Sequence, residues 1–480
     1  MKATKIVATL GPASDTVDII AAMIGAGADV FRLNFSHGTP EDHAGRANRV
    51  REAAARCGRE VGIMGDLQGP KIRVGKFEHG RAHLETGAPF ILDAALDNKA
   101  PLSNSERASL DYKELPRDVK PGDVLLLADG LIQLTVARVE GEQVHTVVIH
   151  GGELSNNKGI NKQGGGLTAP ALTAKDLADI KTATDIGVDY LAVSFPKNAA
   201  DMQTARTVLA ASGGKARLIA KIERAEAIVP ETLDEIIDAS DGIMVARGDL
   251  AVEVGNAAVP ALQKRMITRA RDKNKLVITA TQMMESMITA PVPTRAEVSD
   301  VANAVLDGTD AVMLSAESAA GKYPVETVKA MAAVALAAER SQVYELDRDF
   351  INQQFARVDQ SIAMAALFTA FHLNAKAIAA LSQSGSTALW MSRHDSGVPI
   401  YALTPEVGAA RRAALYRGVR PMLLPFEADR ERALQAAEDA LKARGAVADG
   451  ELVVLTCGEP MGKSGGTNAL KVVCVGEHRG

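Results

Sequence analysis

Lys221 and Glu223 stand together at the end of an apolar run, residues 217–223, and could carry out chemistry as a pair. Alternate side chains of a strand point to the same side, so Lys221 and Glu223 face one way and Ile222 faces the other. Both charges need partners, because burying an unpaired charge is costly. One interpretation is a structural ion pair. The other is a metal-binding carboxylate beside a cation that stabilises an anionic transition state.

A second carboxylate, Asp249, follows the next apolar run, residues 242–247. Gly248 permits a tight turn from strand to helix, and free amides at the start of that helix could bind a substrate anion. Two carboxylates from adjacent strand ends, with no His or Cys nearby, favour a hard cation such as Mg²⁺ or Mn²⁺. Asp249 alone could be a helix N-cap, but beside Glu223 the metal site is favoured.

Arg32, Asn34 and Ser36 lie on one side of another strand end, where they present a guanidinium, an amide and a hydroxyl together. Guanidinium groups bind phosphate in a bidentate manner, so Arg32 is a candidate phosphate ligand. A plain polar loop is the alternative, in which His37 would be a surface histidine.

Hydroxyl groups close two later runs, at Thr281 and at Ser315, which precedes Glu317. Hydroxyls at strand ends can hold a substrate carboxylate or relay a proton. For Ser315, capping of the following helix explains the residue equally well.

These groups require a scaffold that brings distant strand ends together. Alternating strand and helix patterns predict parallel βα units, and eight such units predict a TIM barrel. Active sites of these barrels lie at the carboxyl ends of the strands, so the polar groups should gather on one face. The eight predicted strands lie within residues 4–10, 29–35, 61–67, 189–195, 217–223, 242–247, 275–281 and 310–315.

Two regions depart from the βα pattern. Short β-rich runs lie between Gly69-Pro70 and the glycines at 164–166, and predict an all-β insertion placed to act as a lid. A new αβ alternation begins near residue 344 and predicts an open, mostly parallel sheet. The predicted domains are a barrel at 1–69 and 168–343, a lid at 70–167, and a C-terminal α/β domain at 344–480.

Three cations, Lys71, Arg73 and Lys158, fall within the lid. Lys71 and Arg73 could reach the barrel mouth when the lid closes. Lys158 adds a cation in a glycine-rich turn, although a solvated surface lysine is the usual explanation of such a residue.

The composition limits the class of protein. The chain has 480 residues, 47% hydrophobic and 24% charged, which is ordinary for a globular enzyme. A net charge of −5 argues against a general nucleic-acid or membrane-surface binder. Cys57, Cys457 and Cys474 are too few and scattered for a disulfide framework or a zinc site. No apolar run approaches about 20 residues, so we expect a soluble, cytoplasmic protein.

Taken together, these segments resemble the pyruvate kinase family over essentially the whole chain. The resemblance implies transfer of the phosphoryl group of phosphoenolpyruvate to ADP, giving pyruvate and ATP, the final step of glycolysis. It also implies a mobile lid, a regulatory C-terminal domain and a homotetramer. The segments that carry it are 5–14 (KIVATLGPAS), 31–38 (FRLNFSHG), 66–73, 220–223 (AKIE), 244–250 (MVARGDL), 280–287 (ATQMMESM), 293–300 (PTRAEVSD) and 313–317.

The resemblance further implies a role for each matching residue. Glu223 and Asp249 would hold Mg²⁺ or Mn²⁺, and Lys221 would neutralise the phosphoryl group in flight. Ser315 and Glu317 are possible members of a proton relay to the enolate. The implied substrate contacts are Arg32, Lys221, Gly248, Asp249 and Thr281. The implied nucleotide contacts, with a second Mg²⁺ arriving on ADP, are Asn34, Ser36, His37, Arg73 and Lys158.

Lys71 departs from the pattern of many relatives, which have glutamate there and use K⁺. The sequence resembles the K⁺-independent branch of the family, in which a tethered ammonium can replace a bound monovalent cation. Asn34, Ser36 and Asp66 would then hold the lysine. The expected cation shell, or its Lys71 substitute, comprises Asn34, Ser36, Asp66, Leu67 and Lys71.

The loop at residues 382–387 would suit a phosphorylated effector, a sugar phosphate or a nucleotide, because it offers backbone amides with Ser384, Ser386 and Thr387. A capped helix after a turn is the alternative. The nearby Gly462-Lys463-Ser464 is not a phosphate-binding P-loop, because Cys457 stands where that motif needs glycine.

Two other functions are compatible with parts of the sequence. One is a Mg²⁺-dependent barrel lyase or decarboxylase acting on an enolate such as that of oxaloacetate, which would not need Arg73, Lys158 or a lid. The other is an allosteric binding protein with an inactive barrel. The presence of a full catalytic set argues against it: Lys221, Glu223, Asp249 and Thr281.

Overall fold

The computed structural model of the chain describes residues 2–342 and 354–477. Its described strands form a closed barrel, two sheets in an inserted region, and a five-stranded sheet near the carboxyl terminus. The predicted fold class is confirmed. The predicted domain boundary between residues 343 and 344 lies outside the described residues.

The barrel consists of eight parallel strands, one within each of the eight predicted runs. The strands are short and almost wholly buried, as expected where helices cover the outside of a parallel sheet. In chain order, which is also the order around the barrel, they are Lys5–Thr9, Val30–Asn34, Gly62–Asp66, Tyr190–Val193, Arg217–Ile222, Gly242–Ala246, Leu276–Ala280 and Ala311–Leu314.

Several barrel helices begin at side chains that cap free backbone amides. Thr39, Thr173 and Thr294 each form a capping box with an acidic residue three positions later. The helices are Val17–Ala26, Pro40–Arg56, Ala174–Ile186, Ala199–Ala211, Pro230–Ala239, Arg247–Val254, Val259–Asp272, Arg295–Leu306, Ala316–Ala319 and Pro324–Arg340. Short 3₁₀ turns occur at Pro12–Ser14, Glu226–Ile228, Asn256–Ala258 and Glu285–Ile288.

The inserted region is β-rich, as predicted, with its own buried apolar core. Its six-stranded sheet is mainly antiparallel and runs, in spatial order, Ile160–Lys162, Val124–Leu127, Ile132–Glu140, Gln143–His150, Pro89–Asp93 and Arg107–Ser109. Gly152–Ser155 pairs with Arg81–Leu84, and one helical turn spans Leu115–Asp118. We call this region the lid.

The carboxyl-terminal sheet is open and mostly parallel, as predicted. In spatial order its strands are Val419–Leu423, Ile400–Thr404, Ala377–Leu381, Leu452–Gly458 and Thr467–Cys474, the last of them antiparallel. Its described helices are Val358–His372, Ser386–Ser392, Val407–Ala413 and Arg430–Ala443. Among residues 2–342 and 354–477, no helix is both long and apolar enough to cross a membrane.

Helices beside this sheet pack beneath the amino ends of the barrel strands. Tyr190, which begins the fourth strand, donates a hydrogen bond of 2.6 Å to the carbonyl of Arg412. The buried guanidinium of Arg393 pairs with the buried carboxylate of Asp310, which directly precedes the eighth strand. The regulatory region predicted from the sequence is therefore at the end of the barrel opposite to the predicted active site.

Candidate active site

Lys221 lies at the carboxyl end of the fifth barrel strand, among three partners. Its ammonium donates a hydrogen bond of 2.7 Å to Oγ of Ser194. It also forms ion pairs with Glu223 at 2.9 Å and with Asp66 at 3.3 Å. Burial alone would lower the pKa of Lys221, but Asp66 and Glu223 outweigh that effect and hold the pKa above its ordinary value. Lys221 is therefore a fixed positive charge at the barrel mouth.

Glu223 is a buried carboxylate, and its partners only partly offset the cost of burying its negative charge. One oxygen pairs with Lys221, and the other accepts a hydrogen bond of 2.9 Å from the amide of Phe195. Burial raises the pKa of Glu223 to about 7, and the nearby Asp249 carboxylate acts in the same direction, against the effect of Lys221. A cation bound here would favour the charged form of Glu223.

Arg32 and Asp66 connect the second and third strands to the same cluster. The Arg32 guanidinium donates a bond of 2.5 Å to one oxygen of Asp66 and a bond of 3.1 Å to the hydroxyl of Thr9. The other oxygen of Asp66 faces Lys221. One carboxylate, only 1% exposed, thus holds two cations from different strands.

Lys71 does not contact the acceptors predicted for it. Its ammonium lies 3.2 Å from an oxygen of Asp249, across the gap between lid and barrel. The prediction that Asn34, Ser36 and Asp66 hold Lys71 is wrong for this conformation. Asp66 already pairs with two barrel cations, Arg32 from the adjacent second strand and Lys221 from the fifth strand.

Asp249 lies in the first turn of the helix Arg247–Val254. Ala246 holds the N-cap position, and no side chain caps the helix, so the N-cap interpretation of Asp249 is wrong. The amide of Gly248 donates a hydrogen bond of 2.8 Å to the hydroxyl of Thr281. That hydroxyl in turn donates to the carbonyl of Ala280 at 2.6 Å. Thr281 has a positive φ of 70°, which costs energy for a β-branched residue and directs its side chain to the site.

The loop after the second strand is closed by its own hydrogen bonds. Oδ1 of Asn34 accepts a hydrogen bond of 3.1 Å from the amide of Ser36, and the carbonyl of Asn34 accepts one of 3.2 Å from the amide of His37. Ser36 is half-buried, whereas His37 is exposed. The loop directly follows the second strand, which carries Arg32.

Arg73 and Lys158 are neighbours on the lid. Arg73 and Gly159 form an isolated antiparallel β-bridge, and the Arg73 guanidinium donates a hydrogen bond of 3.0 Å to the carbonyl of Asn157. Lys158 is exposed. The structure therefore brings these two cations together on one lid edge, while Lys71 is the lid cation that contacts the barrel.

The lid returns to the barrel through a strap, residues 164–167, that hydrogen-bonds to the site region. The amide of Gly166 donates to the carboxylate of Glu226, and Arg224 donates 2.9 Å to the carbonyl of Leu167. Gly165 has φ +81°, and a Cβ there would lie 2.5 Å from the Glu226 carboxylate. Glycine is thus favoured at this position, because another residue would strain the backbone and displace the Glu226 carboxylate.

Glu317 has a structural role in this fold. Its two oxygens accept backbone hydrogen bonds of 2.7 Å from Ser315 and 3.3 Å from Met284, and its side chain is buried. It ties the ends of the seventh and eighth strands together, so its predicted place in a proton relay is not supported. Ser315 occupies the N-cap position of Ala316–Ala319 without a side-chain capping bond.

The predicted effector loop is only partly accessible. Ser384 donates 3.1 Å to the hydroxyl of Ser386, and both are half-buried. Thr387 is fully buried and shares a hydrogen bond of 2.7 Å with Thr467, so it does not face a ligand. Ser382 and Gln383 of this loop line a cleft in the carboxyl-terminal domain. Lys463, from the segment that only resembles a P-loop, lines the same cleft.

Glu223 and Asp249 fit a hard divalent cation by the chemistry of their donors. Both are carboxylates, and no cluster of three or more His, Cys, Asp or Glu side chains suited to a metal occurs in the described parts of the chain. A two-carboxylate site leaves further positions to substrate or water oxygens, as Mg²⁺ usually requires.

Sequence reasoning missed Ser194 and Thr9. Both are buried hydroxyls that hold a site cation, Ser194 the ammonium of Lys221 and Thr9 the guanidinium of Arg32. The available signal was their position at the carboxyl ends of the fourth and first predicted strands.

Fold and site together define a barrel protein whose strand ends bring cations and carboxylates together on one face. The family model "Pyruvate kinase, barrel domain" matches residues 1–328, and "Pyruvate kinase, alpha/beta domain" matches residues 360–473. Pyruvate kinase II of Salmonella typhimurium is 53% identical over 477 residues, 99% of each chain. Pyruvate kinase of Haemophilus influenzae is 53% identical over 460 residues, 95% of this chain and 96% of that protein. Pyruvate kinase of Geobacillus stearothermophilus is 42% identical over 98% of this chain and 80% of its own.

The chain belongs to the pyruvate kinase family, a family of phosphotransferases.

Proposed function

We propose that the chain transfers the phosphoryl group of phosphoenolpyruvate to ADP, giving pyruvate and ATP, the final step of glycolysis. The observation that carries this proposal is the sharing of buried Asp66 by Arg32 and Lys221. Phosphoryl transfer needs little covalent help from the protein; it needs alignment and positive charge around the equatorial oxygens. Two cations oriented by one carboxylate supply both.

In the proposed reaction, the bond between the enol oxygen and phosphorus breaks, and a bond forms to a terminal oxygen of ADP. Arg32 grips the phosphate, and Lys221 neutralises the group in flight. The backbone amides of Gly248 and Asp249, with the hydroxyl of Thr281, orient the substrate carboxylate. This requires Thr281 to release the Gly248 amide, which donates to its hydroxyl. The enolate carbon then takes a proton through Thr281, Ser315 or water.

Glu223 and Asp249 would hold Mg²⁺ or Mn²⁺. When bound, the ion would supply positive charge to the enolate oxygen and the phosphate. Lys71 contacts Asp249 in the described conformation, so the ammonium and the ion would share this carboxylate or exchange at it.

The lid would complete the nucleotide side of the site. Asn34, Ser36 and His37 on the barrel, with Arg73 and Lys158 on the lid, would contact ADP. Closure would exclude water, which could otherwise hydrolyse the donor. The proposed domains are a barrel at 1–69 and 168–343, a lid at 70–167 and a regulatory domain at 344–480.

We propose that K⁺ is not required, because Lys71 brings a tethered positive charge to the site. The support is its contact with Asp249, which differs from the shell expected from the sequence. Activity with Mg²⁺ should be nearly equal in potassium and tetramethylammonium salts. Lys71→Glu should make activity depend on K⁺, whereas Lys76→Glu, the same charge reversal at an exposed lid position, should not. A several-fold stimulation of the unaltered enzyme by K⁺ would reject the proposal.

Regulation and assembly are the remaining parts of the proposal. A sugar phosphate or nucleotide would bind the cleft lined by Ser382, Gln383 and Lys463, and the chain would form a homotetramer. Unchanged phosphoenolpyruvate saturation curves across a panel of such compounds would argue against an effector. Light scattering in solution would measure the assembly. A cytoplasmic location stays a prediction.

One assay tests the function: pyruvate formation from phosphoenolpyruvate, with and without ADP and the divalent ion. Formation that requires both ADP and Mg²⁺ or Mn²⁺, with ATP produced in equal amount, supports the proposal. Pyruvate formed from oxaloacetate, without need for ADP, would favour the lyase instead.

A further inference from the structure

Ser194 lies where the fourth barrel strand ends and is 1% exposed. Its hydroxyl oxygen accepts a hydrogen bond of 2.7 Å from the ammonium of Lys221. The same hydroxyl donates a hydrogen bond of 2.8 Å to the carbonyl of Leu67, which directly follows the third strand. A hydroxyl has one hydrogen to donate, so the bond to Leu67 commits it and turns the lone pairs towards Lys221.

The three partners of Lys221 are not equivalent. Asp66 and Glu223 attract the ammonium, and their negative charges offset its positive charge at the site, whereas Ser194 is neutral. A neutral acceptor can hold the ammonium in place without cancelling positive charge. Without it, the ammonium would be free to move towards the two carboxylates.

Ser194 also packs against the entry to the lid. A Cβ at Gly69, two residues after Leu67, would lie 2.7 Å from the Cβ of Ser194. The amide of Gly69 is held 3.0 Å from the carboxylate of Asp176. The segment that leads into the lid is therefore fixed on both sides, and the Leu67 carbonyl is a stable anchor for the hydroxyl.

We propose that Ser194 is a positioning residue for the phosphoryl-transfer step: it holds the Lys221 ammonium where the migrating phosphoryl group passes. The inference rests on the proposed function, in which Lys221 stabilises the transition state. Ser194 acts through Lys221 and need not touch the substrate.

The test is Ser194→Ala, assayed for pyruvate formation with phosphoenolpyruvate varied. Losing a hydrogen bond to a charged group lowers the rate roughly tenfold to a hundredfold when the loss falls on the transition state. We expect kcat to fall by about that factor, with KM for phosphoenolpyruvate changed less than about twofold. In a Lys221→Met background the same substitution should have no further effect on kcat, because the group it positions is gone.

Ser240→Ala is the matched control. Ser240 is buried and lies between the helix Pro230–Ala239 and the sixth strand, and its hydroxyl donates a hydrogen bond of 2.7 Å to the carbonyl of Ile236. This substitution should leave kcat unchanged. If the unaltered enzyme makes no pyruvate, the proposed function fails. If the unaltered enzyme is active but Ser194→Ala matches Ser240→Ala in kcat, or if its effect persists in the Lys221→Met background, the inference about Ser194 is overturned.

Discussion

Replacing Asp66 by Asn should disable the site, because one buried carboxylate orients two cations. Asp66 lies 2.5 Å from Nε of Arg32 and 3.3 Å from Nζ of Lys221. Burial alone would raise the pKa of Asp66, but Arg32 and Lys221 hold it below its ordinary value. Asn keeps the size of the side chain, removes its charge and can turn an NH₂ group towards a cation.

The expected loss follows from removing one partner of a buried ion pair, which costs about 3–5 kcal/mol. We take the lower end, ~3 kcal/mol, because Lys221 keeps Glu223 and Ser194 as partners. Since each 1.36 kcal/mol is tenfold in rate, kcat/KM for phosphoenolpyruvate should fall by roughly a hundredfold if the loss falls on the transition state.

The assay is steady-state pyruvate formation at saturating ADP and Mg²⁺, in potassium and in tetramethylammonium salts. Asp189→Asn is the control: Asp189 is also buried and pairs with Arg51 at 3.0 Å, but it precedes the fourth strand at the opposite end of the barrel. It should reduce stability and leave kcat unchanged. A kcat/KM of Asp66→Asn within about threefold of the unaltered enzyme would refute the reasoning. A loss that K⁺ relieves would place Asp66 in a monovalent-cation shell instead.

Three further predictions concern the strap, the barrel base and pH. Gly165→Ala should force Glu226 away from the strap, so the backbone amides of the strap should exchange hydrogen faster. Unchanged exchange rates at these amides would contradict this. Arg393→Met leaves Asp310 buried without its partner, so the free energy of unfolding should fall by about 3 kcal/mol in denaturant titrations, with kcat unaltered. Burial lowers the pKa of Lys5 to about 8, so between about pH 8 and pH 10 the unfolded chain binds more protons and stability rises with pH. Lys5→Met should flatten that rise; parallel unfolding curves for the two proteins would count against it.

The barrel and most of its site could be predicted from local pattern. Each strand is a short apolar run, and parallel strands in a closed barrel expose their carboxyl ends on one face. Lys221, Glu223 and Arg32 were therefore predicted to meet from their positions at strand ends alone. The lid and the C-terminal sheet followed in the same way, from changes in the period of the apolar residues.

The contacts of individual side chains were harder to predict from the sequence, because several acceptors of similar chemistry meet at the barrel mouth. Lys71 was expected near Asn34, Ser36 and Asp66 but lies at Asp249. The difference arises because the lid places Lys71 over the sixth strand end, while Arg32 and Lys221 already hold Asp66. Glu317 looked equally suited to proton transfer, and only the positions of two backbone amides reveal its structural role.

By itself the sequence determined the order of strands and helices, the inserted lid, and which charged residues stand at the barrel mouth, since these depend on residues close together in the chain. Only the tertiary structure decided which carboxylate each cation contacts, that Ser194 holds Lys221, and that Thr387 is buried. Those contacts join segments far apart in sequence. Their distances are set by strand register and helix packing, which no single segment encodes.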